Sequence, residues 1–308
     1  MKYSALLLTL AASLTTSAWA ADLSKVHEGD IYLATLAELK PTQPSAGFDQ
    51  VYYKLGRYQK DVEKQFDEIC EANGQKGVRH FDEHSQPAVA DSFECQKEVG
   101  AKRKDMKTVV IAPDHSLYLT DGHHTFNTFW HMSGGGSNFP VNVIVTKDYR
   151  SLPSMEAFWT QLEKDKNTWL FDVNDQPISH EQLPKALDLK NFTNDPYRSL
   201  MYFAREISWD KPDQPVPFLE FYWAKQLKPN LDLTAFDLNS EDGYKAAIKQ
   251  VSELILAQKT DNVGGSGLSA KAMGQFAHFK PKKFQKLNKS TSKLNYMLAY
   301  KAELNTKS

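Results

Sequence analysis

The chain has 308 residues, 41% apolar and 24% charged, with 37 basic against 38 acidic side chains and a formal net charge of −1. That length and balance suit one large globular domain or two small ones. They exclude collagen, low-complexity disorder and a mini-protein held only by disulfides. The near-neutral total argues for neither a nucleic-acid nor a membrane partner.

The first twenty residues have the layout of an export signal. Lys2 gives a positive start, Ala5 to Ala12 is apolar, and Ala18 and Ala20 fill the small positions of a cleavage site. Residues 1–20 are therefore expected to be a signal peptide cut after Ala20, with a periplasmic or secreted mature protein. No later stretch approaches the roughly 18 uninterrupted apolar residues of a membrane-spanning helix. Cys70 and Cys95 are the two cysteines of the sequence. Their spacing matches no zinc or redox pattern, and in an oxidising compartment such a pair is expected to form a disulfide.

Turn chemistry and periodicity divide the remainder. Asp30 to Leu36 reads as a strand, closed by Lys40-Pro41-Thr42-Gln43-Pro44. Residues 49 to 72 carry apolar side chains at three- and four-residue steps and read as helical, and Asn73 to Lys97 reads as loop. Thr108 to Ala112 and Leu117 to Thr120 form a hairpin around Pro113 to Ser116. Asp121-Gly122-His123-His124-Thr125 then leads into a helical pattern from Phe126 to Met132, stopped by Gly134 to Gly136 before a strand from Pro140 to Val145. Helical patterns follow at Met155 to Lys164, Ser179 to Leu187 with a Ser179/Gln182 capping box, Pro196 to Trp209, Pro217 to Leu227 and Ser240 to Gln258.

The expected class is α/β (α+β): a mixed-sheet unit over residues 21–148, a helical extension over 149–262 packed on it, and a basic C-terminal tail over 263–308. From Lys271 onward nine lysines face one acid, Glu303, for a local charge of +8. This tail is either an anion-facing arm, interleaved with Phe276, Phe279, Phe284, Tyr296 and Tyr300, or a solvated surface that balances an acidic body.

Chemistry is expected first at Asp121 to Thr125, between a strand end and a helix start. Unpaired N–H groups and the helix dipole favour an anion there. Gly122 permits close backbone approach, and Asp121 or Thr125 can cap the helix or meet a phosphate. The adjacent His123 and His124 have the chemistry of general acids or bases near neutral pH, although such a pair at a helix start is also unremarkable as structure. Asp195 suits an N-cap and Pro196 the first helical position. Arg198 behind them either clamps an anion or pairs with a carboxylate. Glu220, on an otherwise aromatic helix, is either a buried partner of such an arginine or a catalytic carboxylate. His27, His80, His84, His115, His131, His180 and His278 share no metal-ligand spacing, so the metal and cofactor requirement stays open.

The segment Tyr118-Leu119-Thr120-Asp121-Gly122-His123-His124-Thr125 resembles the Asp-Gly-His-His motif of the ParB-like nuclease family, within the ParB/sulfiredoxin superfamily. In the same order the chain matches at Leu39 to Pro44, Phe158-Trp159, Asn194 to Leu200 and Phe218 to Ala224, so the resemblance runs from about residue 30 to 228. It implies a ParB/sulfiredoxin-like fold whose strand-loop-helix contacts the phosphates of a phosphoester, nucleotide or nucleic acid. Carried over, phosphate or substrate contact falls to Gly122, His123, His124 and Thr125, with Asp121 as acid/base or metal contact and Thr42 and Gln43 lining the same cleft. The loop has no cysteine, which excludes sulfiredoxin chemistry, and it lacks the paired arginines of the partition proteins. Two functions are therefore expected as alternatives: a nuclease or phosphodiesterase using the loop, or a non-catalytic binding protein that keeps the fold and holds a polyanion.

Overall fold

The computed structural model describes residues 22–214 and 216–307. The expected signal peptide and its cleavage after Ala20 lie outside the described residues.

Alternating apolar residues build a mixed five-stranded sheet. Its strands are β1 (Ile31–Thr35), β2 (Leu39–Lys40), β6 (Lys107–Ile111), β7 (Leu117–Asp121) and β8 (Pro140–Asp148), in the order β1-β8-β6-β7-β2. β1/β8 and β6/β7 are antiparallel, whereas β6/β8 and β2/β7 are parallel. The period of two sends Val109, Ile111, Leu117 and Leu119 to one face, and Val110, Ala112 and Tyr118 to the other. The first face meets helices α1 (Phe48–Lys60), α2 (Val62–Ala72) and α3 (His123–His131) through Val51, Leu55, Phe66, Ile69, Phe126 and Phe129. The second is covered by α4 (Met155–Lys164), whose Phe158, Trp159 and Leu162 pack on Tyr118 and Tyr149. A register shift between Thr108 and Val109 bulges the end of the hairpin and sets the angle at which Asp121 and Gly122 enter α3.

Two short parallel strands, β3 (Ser45–Ala46) and β9 (Thr193–Asn194), join the sheet unit to the helical part. Each runs directly into a helix, β3 into α1 and β9 into α5 (Pro196–Ala204), so their pairing brings two helix starts side by side. A second core then forms among α5, α6 (Leu219–Leu227), α7 (Glu241–Ala257) and α9 (Lys293–Lys307), centred on Phe203, Trp209, Trp223, Tyr244 and Met297. The mixed sheet followed by helices is the architecture expected from the sequence.

Several elements differ in detail. The helical stretch 49–72 is two helices that break at Asp61. The loop 73–97 holds a small antiparallel pair, β4 (Val78–His80) with β5 (Glu94–Cys95). Ser179 and Gln182 do form a capping box, but it closes only a single turn over His180–Gln182. Pro184 follows too soon, since it lacks an N–H and turns the preceding residue out of helical geometry. Helix α5 ends at Ala204 because the chain folds back to bury Trp209, whose indole N–H donates to Met201 O at 3.1 Å.

The basic C-terminal stretch is built into the fold. It contains α8 (Pro281–Gln285) and α9, and α9 lies along α1. Gly56 allows that approach, because a Cβ there would stand 2.3 Å from Tyr296 O. Leu294 and Met297 are fully buried, and Lys301 Nζ stands 3.4 Å from Asp49 Oδ1.

The expected disulfide is formed. Cys70 in α2 is bonded to Cys95 in β5, 25 residues away in sequence. Closing a loop of that size restricts the unfolded chain by about 3 kcal/mol. The double variant Cys70→Ala/Cys95→Ala should therefore unfold at lower urea concentration by that amount, and dithiothreitol should cause the same loss in the parent protein. A reducing agent without effect on the parent midpoint would show that the bond adds nothing.

Candidate functional site

Helix α3 begins at Gly122, whose backbone is left-handed at φ 112°. A side chain there would meet Lys107 Cγ at 2.6 Å, so glycine is required twice over, by conformation and by space. The first intrahelical bond is made by Phe126 N–H to Gly122 O, which leaves the preceding N–H groups outside the ladder.

The two histidines turn away from solvent and into the loop after β2. His123 Nε2 accepts the Thr42 N–H at 3.1 Å, and His124 Nε2 accepts the Gly47 N–H at 3.0 Å. A neutral ring that accepts at Nε2 carries its proton on Nδ1. Burial pushes His123 down to about 3, with the Arg198 charge adding to it and Asp121 opposing. Burial also holds His124 well below the usual histidine range, helped by Arg198 and His123. Both rings are thus neutral acceptors at physiological pH.

The loop they hold is fixed from its other sides as well. Thr42 Oγ1 donates to Leu119 O at 2.7 Å, and Thr42 O accepts from Trp169 N–H and from Thr168 Oγ1, each at 2.9 Å. Gln43 is buried and donates to Ser45 O at 2.6 Å. Asp195 N–H reaches Ala46 O at 2.9 Å, while its side chain caps α5 by accepting from Arg198 N–H at 3.0 Å.

Arg198 and Glu220 meet under this loop. The guanidinium donates to Gln50 Oε1 and stands 3.6 Å from Glu220 Oε2, and both side chains are buried. Burial alone would raise the Glu220 carboxyl. The charge of Arg198, with Lys211 and Arg205, outweighs it and brings the group down to about 2. Among the described residues, Ser45 Oγ, Asn127 Oδ1, Arg198 Nε and Ser199 Oγ are buried polar atoms of this region without a protein partner. Thr42, Gln43, His123, His124, Arg198 and Glu220 are therefore gathered into one buried polar region.

Thr125 and Asp121 lie elsewhere. Thr125 lines a cleft of about 620 Å³ shared by α1, α2, the start of β6 and the end of α5. Lys54, Arg57 and Lys107 face it, with Lys64, Lys76 and Lys104 nearer its rim and the acids Asp67, Glu68, Glu71 and Asp105 among them. Glu68 is bound by Lys54, Arg57 and Tyr58, and Lys64 pairs with Asp67 at 2.7 Å. Lys107 Nζ donates to Asp105 O at 3.1 Å and stands 4.0 Å from the exposed Asp121. Burial lowers Lys107; Lys54 and Lys211 add to this, while Asp121 and Glu68 oppose. Lys54 and Arg57 were not among the expected site residues, although their three-residue spacing on a helix puts them on one face. Lys107 carried no comparable sequence signal. No group of three or more His, Cys, Asp or Glu among the described residues could hold a metal ion, and no helix there is long and apolar enough to cross a membrane.

Two outcomes follow from the buried region. The unfolded chain protonates a histidine near 6.5, whereas native His123 resists protonation down to about 3. This contribution is intact above about pH 6.5 and is lost as pH falls toward 3, by about 1.4 kcal/mol per unit. His123→Gln keeps an acceptor for Thr42 and should make the fall in urea stability between pH 7 and 5 shallower; an unchanged slope would place protons on the native ring. Glu220→Gln strands a buried cation and should cost about 3–5 kcal/mol, and adding Arg198→Gln should recover part of it. Additive losses in that double-mutant cycle would show the two groups to be uncoupled.

Comparison with known proteins bears on the family and the fold. A family model described as "Putative ParB-like nuclease" matches residues 33–229, more than half of the chain. A crystal structure of protein Atu1540 from Agrobacterium tumefaciens has a similar fold, with a TM-score of 0.51 at 20% identity, covering 74% of this chain and 92% of that one. No curated protein matches. The matched span contains the histidine pair, the loop they hold, Arg198 and Glu220, and on that extent of agreement the chain belongs to the ParB-like nuclease family.

Proposed function

We propose that this protein is an exported phosphoester-binding protein whose ligand enters the cleft at the start of α3. The observation that carries the reading is the cleft itself: Thr125, in the first turn of a helix, lines it together with six cations, Lys54, Arg57, Lys64, Lys76, Lys104 and Lys107, against four acids. A phosphate placed there meets the positive end of the helix dipole, N–H groups outside the ladder and several cations. Burial lowers Lys107 despite the nearby Asp121, and an anion in the cleft would favour its charged form. Binding is favoured over turnover because the histidine Nε2 atoms are already committed to backbone N–H groups. Family membership supports the second reading, a nuclease or phosphodiesterase. Export is supported by the leader-like first twenty residues and by a disulfide of the kind that persists in oxidising compartments.

Inorganic phosphate and a small phosphodiester should raise the melting temperature of the parent protein, since a ligand that binds only the native state stabilises it by mass action. Lys107→Met and Thr125→Val should each remove most of that rise, whereas His123→Gln should keep it. A rise that survives both cleft variants would move the site. Incubation with single- and double-stranded DNA, RNA and a chromogenic phosphodiester, with and without Mg²⁺, Mn²⁺ or Zn²⁺, separates the two readings. Turnover that falls about 10²–10⁴-fold in His123→Gln or His124→Gln would establish the enzymatic one.

A further inference from the structure

A second cavity, of about 370 Å³, lies where the end of α5 meets the segment leading into α9. Arg205, Lys283, Lys286, Lys289 and Lys293 line it against a single acid, Glu206. That acid is already taken, since Lys283 Nζ bonds Glu206 Oε2 at 2.6 Å. Among the described residues, the head groups of Arg205, Lys286 and Lys289 have no carboxylate partner. Arg205 instead lies over the Tyr202 ring, 4.9 Å from its centroid. On the floor, Lys293 Nζ donates to Tyr202 O at 3.1 Å and stands 5.1 and 5.4 Å from the ring centroids of Tyr202 and Phe203. The rim residue Glu206 has φ 69°, a left-handed conformation that costs a non-glycine residue free energy.

Like charges gathered in a half-enclosed space repel one another, and here five cations line the cavity against the one acid Glu206, which offsets only part of their charge. We propose that this cavity is a second anion site, separate from the Thr125 cleft, which binds a short, linear, multiply charged phosphate chain. Three features select that class. Five cations line the cavity, which matches a ligand with several charges rather than one. The flanking rings are already engaged by cations, Tyr202 by Arg205 and Lys293 and Tyr53 by Arg57, so phosphate contact is favoured here over stacking of a base. The volume admits a small ion and not a folded macromolecule. Most of the lining lies beyond residue 229, outside the span of the family match, so the site belongs to this chain's own C-terminal part.

Lys293 gives the site a separate signature. Burial and then Arg205 bring its ammonium down to about 7; Lys283 adds to this, while Glu206 and Asp210 oppose. A bound polyanion favours the charged form, so binding near pH 8 must take up a proton.

The test is calorimetric titration of the full-length protein with tripolyphosphate at constant ionic strength. Tripolyphosphate should bind at least ten times more tightly than orthophosphate. Lys286→Gln/Lys289→Gln, at exposed positions that leave the core intact, should weaken it at least tenfold, as should Arg205→Gln. Thr125→Val and Lys107→Met should leave it unchanged, which separates this site from the proposed phosphoester cleft. At pH 8 the heat should vary with the ionisation enthalpy of the buffer, and the parent should take up more protons per ligand bound than Lys293→Met, the ligand's own ionisation being common to both. Equal affinity in the parent and the Lys286→Gln/Lys289→Gln variant would overturn the proposal. So would loss of binding in Lys107→Met, or preference for an oligonucleotide at equal phosphate concentration.

Discussion

Two backbone N–H groups, those of Thr42 and Gly47, end on the Nε2 atoms of two neighbouring buried imidazoles, and the junction of the molecule is arranged around that pair of bonds. Successive helical residues diverge by about 100°, so His123 and His124 reach two separate points of one loop. Each ring must be neutral to accept, and burial keeps it so. Pinned at both points, the loop passes through β3 into α1, and β3 pairs with β9, which passes into α5. The sheet unit and the helical part are therefore registered against each other through side chains at the first turn of one short helix.

That first turn serves in two directions. Its histidines face inward and act as fixed acceptors, while Thr125 faces the cationic cleft. Gly122 separates the strand end from both, with Lys107 packed against its Cα where any side chain would collide. An Asp-Gly-His-His-Thr sequence at a strand-to-helix turn can thus act by positioning alone. The histidines fix the helix start against the loop after β2, and the cations of α1 and β6 lie in the cleft that Thr125 lines. Arg198 and Glu220 extend the same logic, each making the other's burial tolerable.

Much of this was legible in the residues. Alternation at Val109 to Ala112 and Leu117 to Tyr118 told the two faces of the sheet, and Asp195-Pro196 marked the start of α5 because capping and proline chemistry are local. The pairing of Arg198 with Glu220 was among the alternatives because a charge on an aromatic helix needs a partner. What could not be read depended on distance in sequence. Only the family resemblance set Thr42 and Gln43 beside the histidines, since they meet through a parallel β2/β7 pairing, and nothing local tells that His123 accepts from Thr42 rather than facing solvent. The second core was similarly hidden, since the buried Leu294 and Met297 are surrounded in sequence by lysines. The capping box at Ser179 misled in length because Pro184 ends what the cap begins.

The contact between α9 and α1 bears on the order of assembly. Helix α1 carries Tyr53, Lys54 and Arg57 on its cleft side, and its Gly56 receives the backbone of Tyr296 from near the other end of the chain. Contacts so remote in sequence require a large loop to close before they contribute, and they slow folding accordingly. A nascent chain still lacking its last helix holds α1 with one flank uncovered, so Gly56 and Asp49 meet their partners Tyr296 and Lys301 only when the last segment is made. The packing of α1 is on this account completed only in the full polypeptide, and a chain cut short before Lys293 leaves the Gly56 flank of that helix bare and Asp49 without Lys301.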